Sequence, residues 1–97
     1  MKQRRFNQYS AAVAAAFRLG NKKMYLKTKK KPMSDARHML YYVCSKDGFR
    51  ISEIQYYLEE KGYYIKHSNI IYGKNSMKEK IDKDEMYGML ADKLCTL

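Results

Sequence analysis

Cysteine is scarce in this 97-residue chain, which has only Cys44 and Cys95. Two cysteines make neither a disulfide framework nor a metal cluster. Both fall among apolar positions, where a thiol is expected to serve as a small buried hydrophobe. Histidine is equally scarce: His38 and His67 have no Cys-x-x-Cys or His-x-x-x-His partners. The sequence therefore offers no metal ligand set and no nucleophile–base constellation, and neither catalysis nor a cofactor is expected. Long apolar runs are missing too. The longest, Ala11–Phe17, is mostly alanine and falls well short of the ~20 residues that cross a bilayer. As a secretory leader, Met1–Leu19 is short and weakly hydrophobic, with Arg18 where a cleavage site would lie. No membrane partner is expected.

The most informative absence is that of acid in the first third. Residues 1–34 hold ten Lys or Arg and no Asp or Glu, whereas residues 35–97 hold ten of each sign. The whole net charge of +10 therefore sits at one end. A charge-balanced body with a one-sign extension suggests an extension that meets something anionic. We divide the chain accordingly into a basic N-terminal arm (1–31) and a helical domain (32–97).

The arm contains one plausible helix, capped at Asn7 or Ser10, rich in alanine and closed by Gly20. Tyr9, Val13, Ala16 and Phe17 give it a narrow apolar stripe. Asn21 to Pro32 reads as a basic, extended connector, because Lys29-Lys30-Lys31-Pro32 disfavours a helix running into the proline.

The domain reads as four helices. Ser34 is expected to cap the first, with Asp35 in its first turn and a core stripe of Ala36, Met39, Leu40, Val43 and Cys44. Ser52-Glu53-Ile54-Gln55 matches a capping box for the second, with Ile51 and Tyr56 as a hydrophobic staple and Gly62 as the stop. The third begins at His67 or Ser68 and carries Ile70, Met77 and Ile81 inward. Gly73 inside it marks either a kink or a close backbone approach. The fourth starts near Asp84, with Met86, Met89, Leu90 and Leu94 at core spacing. The seven methionines are read as core filler. Of the tyrosine pairs, Tyr63 and Tyr64 lie in a turn and are the best placed to stack on unpaired bases. The expected fold class is all-α: a small helix-turn-helix bundle of about four helices after a basic arm with one short helix.

Ser52–Lys61, a glycine-containing turn and His67–Ile81 have the outline of a helix-turn-helix unit. Lys66, His67, Ser68 and Asn69 place four consecutive polar donors at a helix N-terminus. There the outward-pointing amides also suit phosphate or a base edge.

These residues carry a resemblance. Ala36-Arg37-His38-Met39-Leu40-Tyr41-Tyr42-Val43, Ile51-Ser52-Glu53-Ile54 and His67-Ser68-Asn69-Ile70-Ile71-Tyr72 together resemble the C-terminal DNA-binding domain of the bacterial replication initiator DnaA. The family has an Arg-Gln pair opening a helix, a Ser-Leu-x-Glu-Ile segment, and then Asp-His-Thr-Thr-Val; the match runs over about residues 32–81. The resemblance implies that His67, Ser68 and Asn69 contact bases and phosphates in the major groove. It implies that Arg37 holds the phosphate backbone, with His38 where the family has glutamine, and that a basic residue near Lys29, Lys30 and Lys31 enters the minor groove. Lys66 replaces the family's aspartate, Ser68-Asn69 replaces Thr-Thr, and no ATP-binding motif is present. What is implied is a DNA-binding module, cytoplasmic and nucleoid-associated, acting in replication or transcription in a bacterium or phage.

The competing expectation is structural. A small helical body with a basic extension also suits a component of a virion or other nucleoprotein particle, docked on neighbouring protein through Tyr9, Val13 and Phe17. A phage packaging factor lies between the two readings.

Overall fold

In the computed structural model, which describes residues 2–97, the chain builds six helices and, among those residues, no strand. They are α1 (Lys2–Ala16), α2 (Asn21–Met24), α3 (Met33–Lys46), α4 (Ile51–Glu60), α5 (His67–Lys83) and α6 (Glu85–Cys95). The fold class is all-α, as the helical spacing of apolar residues requires. None of the helices is long and apolar enough to cross a membrane.

Helix α3 is the element around which the others pack, touching all five. Its expected stripe of Ala36, Met39, Leu40, Val43 and Cys44 is fully buried. Tyr41, on a different face, is buried as well, because α3 is covered by other helices on more than one side. Helix α5 makes the most extensive contact with α3, and α6 closes over both.

The N-terminal third departs most from expectation. Phe6, Tyr9, Val13 and Ala14 are all buried in the one core cluster, and α1 lies on α3. Phe6 meets the ring of Tyr57 at 5.3 Å, and Tyr9 meets Phe49 edge-on at 6.4 Å. Removing each such side chain from water contributes about 1.5–3 kcal/mol, far more than exposed charges can oppose. Helix α1 also starts earlier than its alanine run, and the extra turn brings Lys2 to Glu53 (2.9 Å) and Arg5 to Asp47 (2.6 and 2.9 Å). The connector contains a short helix, α2, whose Met24 is fully buried. Residues 2–31 are therefore part of the globule and not a separate arm. With Tyr9 and Val13 inside the core and Phe17 half-buried, the stripe expected to dock on neighbouring protein is already occupied.

Three helices end in the same way, with one difference. After α3 and α4 the left-handed position belongs to Gly48 (φ 94°) and Gly62 (φ 82°). The amides of Phe49 and Tyr63 then reach back to the carbonyls of Cys44 and Leu58, both at 3.0 Å. After α1 the corresponding residue is Arg18 (φ 57°), and Leu19 N–H donates to the Ala14 carbonyl at 2.8 Å. Gly20, expected to close α1, instead precedes α2. A side chain in this conformation costs about 1–2 kcal/mol.

Helix starts also differ from the sequence expectation. Pro32 occupies the N-cap of α3, so Ser34 and Asp35 fall inside the helix. Asp35 is buried and accepts hydrogen bonds from Lys80 of α5 and Tyr87 of α6 (3.0 Å from Tyr87). Burial pushes the pKa of its carboxyl up, but the two donors and the Lys80 charge outweigh it and hold it below the ordinary value. Helix α4 starts at Ile51, and its capping bond runs from Arg50 N–H to the Glu53 carboxylate at 2.8 Å. The expected Ser52–Gln55 box is thus displaced by two residues, and Tyr56 is exposed and forms no staple. In α6, Ala91 and Leu94 face the body while Met86 and Met89 point to solvent, 79% and 66% exposed. Met24, Met39 and Met77 are core filler, whereas Met1 lies outside the described residues. Of the two thiols, Cys44 is buried and Cys95 exposed.

Candidate nucleic-acid interface

Gln55 ties the turn between α4 and α5 to the start of α5. Gln55 donates its amide to the Ile65 carbonyl (2.8 Å), and its oxygen lies 2.8 Å from His67 Nε2. With the amide oriented by that carbonyl, His67 donates through Nε2, and the ring is fixed at the first position of α5. Lys66 is the N-cap, without a side-chain cap of its own, and the first turn holds no acid. The amides of Asn69 and Ile70 are already bonded to the Lys66 carbonyl, leaving those of the first helical residues pointing outward. Lys66, His67, Ser68 and Asn69 are all exposed. The four polar donors therefore form one accessible group at a helix end whose dipole favours anions.

The second part of the site is the segment after α2. Lys29, Lys30 and Lys31 are exposed, and among the described residues none of them, nor Lys66, forms an ion pair. Lys27 bonds the Tyr64 carbonyl and stands 5.2 Å from the Tyr63 ring centre. This places the segment beside the start of α5. A cleft of about 520 Å³ separates the two, with Lys27, Lys29, His38, Tyr64, Asn69 and Tyr72 among its walls.

Arg37 corrects the role carried over by resemblance. It is buried, and its guanidinium donates to three backbone carbonyls, those of Met24 (2.9 Å), Leu26 (3.0 Å) and Thr28. It also stacks over the Tyr63 ring at 5.0 Å. A guanidinium with its donors so committed, in a buried site, is not a surface phosphate ligand. It is a strut that holds the lysine-bearing segment onto α3. The sequence carried no signal for this, because the carbonyls it meets are backbone groups nine to thirteen residues earlier.

His38 is half-buried at the back of the cleft, and its Nδ1 is buried without a hydrogen-bond partner. Burial holds its pKa below the ordinary histidine value, with Lys80 and Arg37 adding to the effect and Asp35 opposing it. It packs against Gly73 of α5, where a Cβ would lie 2.6 Å from His38 Cδ2 and 2.9 Å from Tyr41 Cδ2. Gly73 is thus a point of close approach, the second of the two sequence readings. Of the tyrosines picked as exposed, Tyr63 is buried beneath Arg37 and Lys27, while Tyr64 stays exposed. Tyr72, missed in the sequence, is 69% exposed and lines the cleft. Its position three residues after Asn69, one helical turn along, was the available signal.

Among the described residues no group of His, Cys, Asp and Glu stands together as a metal site. Compared with protein-family models, curated proteins and solved structures, the chain matches none.

Proposed function

We propose that this chain is a non-enzymatic duplex-DNA-binding protein in which α4 and α5 act as a DnaA-like helix-turn-helix. The start of α5 enters the major groove, and the lysine segment lies along the neighbouring phosphates or minor groove. The observation that carries the reading is the adjacency of Lys29 and Asn69 across one cleft. It joins an acid-free cationic segment to an exposed, polar helix N-terminus. Asn69 has the paired donor and acceptor that suit adenine, and Lys29–Lys31 supply charge without direction, which suits phosphate.

The test is fluorescence anisotropy with a random 30-base-pair duplex across a salt series. Changing Lys29, Lys30 and Lys31 together to alanine is expected to reduce the slope of log affinity against log salt by about 2–3, at roughly 0.9 for each phosphate no longer neutralised. Changing His67, Ser68 and Asn69 to alanine is expected to weaken binding with a smaller change in slope. If both variants bind as the parent does, the reading is wrong.

A further inference from the structure

The cleft between the lysine segment and α5 is more than the space between two DNA-contacting parts. Its walls hold two kinds of group that a paired duplex does not use together. One is aromatic: Tyr64 and Tyr72 line it and keep 63% and 69% of their surface in water. The other is cationic: Lys27 and Lys29 stand on the same wall system. None of the residues lining it is acidic, although the chain has ten carboxylates to distribute. Ser34 and Asn69, polar groups capable of reading an edge, also line it.

A cleft that is aromatic, cationic and free of carboxylates fits a flat, anionic ligand. In a fully paired duplex both faces of every base are covered by its neighbours, so exposed tyrosine rings have nothing to stack on. An unpaired base offers that face, and its own phosphate offers the anion.

We propose that the cleft takes one unpaired nucleotide of a bound DNA strand, its base against Tyr64 or Tyr72 and its phosphate against Lys27 or Lys29. The inference rests on the DNA-binding reading above and deepens it. The protein would then favour duplexes that carry an unpaired position, such as a bulge or the junction with a single strand. Asn69 belongs both to the exposed start of α5 and to the cleft wall, so duplex and unpaired base are engaged side by side.

The experiment uses the full chain and two 20-base-pair duplexes, one fully paired and one carrying a single bulged 2-aminopurine. The bulged duplex is expected to bind roughly ten-fold tighter, as one stacked base implies, with quenching of the 2-aminopurine fluorescence on binding. Tyr72→Ala and Tyr64→Ala are expected to abolish the preference and the quenching, with helical content unchanged by circular dichroism because both rings are surface groups. Tyr56→Ala, equally exposed but on α4 and outside the cleft, is expected to retain both. Free adenosine monophosphate at matching nucleotide concentration is expected not to displace the bulged duplex. Equal affinity for the two duplexes without quenching overturns the inference and leaves the duplex reading intact. Loss of preference in Tyr56→Ala, or displacement by the free nucleotide, also overturns it. Failure to bind either duplex removes both readings.

Discussion

Two groups of cations in the first third behave differently. On α1, Lys2 and Arg5 are paired with Glu53 and Asp47. After α2, Lys29, Lys30 and Lys31 make no ion pair among the described residues. In the sequence the two groups form one acid-free block. In the fold, one closes α1 onto the rest of the protein and the other remains available. The difference teaches that a run of like charge is not a structural unit. What a partner can feel is the charge that tertiary contacts leave uncompensated, so the phosphates neutralised should not be counted from all ten cations, because Lys2 and Arg5 are already paired.

The sharpest way to break this comparison is to remove the strut beneath the second group. Arg37→Ala deletes charge-assisted hydrogen bonds to three carbonyls and leaves them unsatisfied in a buried setting. A loss of about 3 kcal/mol is expected, lowering Tm by roughly 12 °C or more. If Tm hardly moves, the lysine segment is not held from beneath, and its separation from the α1 group loses its physical basis.

Gly73→Ala tests how α5 is seated on α3. Its methyl would meet His38 and Tyr41 at distances no real side chain shows, a cost of about 1–3 kcal/mol set against about 1 kcal/mol of improved helix propensity. Tm is expected to fall by several degrees, roughly 4–8 °C per kcal/mol, and His38→Ala in the same chain is expected to recover part of it, the contact with Tyr41 remaining.

Arg18→Gly acts on the α1 side alone. Relieving the left-handed arginine is expected to raise stability by about 1 kcal/mol, read as a small increase in Tm.

The pH dependence follows from His38. Its folded-state pKa lies below the ordinary ~6.5, so the unfolded chain takes up the proton first. The contribution to stability is complete above about pH 6.5 and is lost as pH falls through the folded value. His38→Gln is expected to flatten this part of a Tm-against-pH curve. Asp35, whose folded pKa is also depressed, adds a separate loss below about pH 4.

The smallest effect is expected on the paired cations. Lys2→Ala and Arg5→Ala remove pairs that remain partly in water, whose contribution is modest at physiological salt, and neither should change the salt slope for DNA. An unchanged slope here beside a reduced slope for the Lys29–Lys31 variant would complete the contrast. A reduced slope in both would erase it.

Some of the fold was legible in the residues alone. The i, i+3, i+4 pattern of α3 named its core residues because a helix buries side chains by angle, and angle follows directly from spacing. The polar start of α5 was visible for the same reason. Gly62 marked the end of α4 because few other residues adopt a positive φ readily. The pattern failed at α6, where Met86 and Met89 have core-like spacing but belong to a face that nothing among the described residues covers.

By itself, the sequence determined the all-helical class, the positions of most helices, the core face of α3 and the exposed donors at Lys66–Asn69. These depend on local geometry, on residues within about two helical turns of each other. Only the tertiary structure decided that residues 2–31 pack into the body, that Arg37 is a strut, and that Lys29 and Asn69 share a cleft. Each of those depends on groups distant in sequence being brought together. Which long-range partner wins is settled by burial of Phe6, Tyr9 and Met24 and by the satisfaction of backbone carbonyls, and neither leaves a periodic trace in the chain.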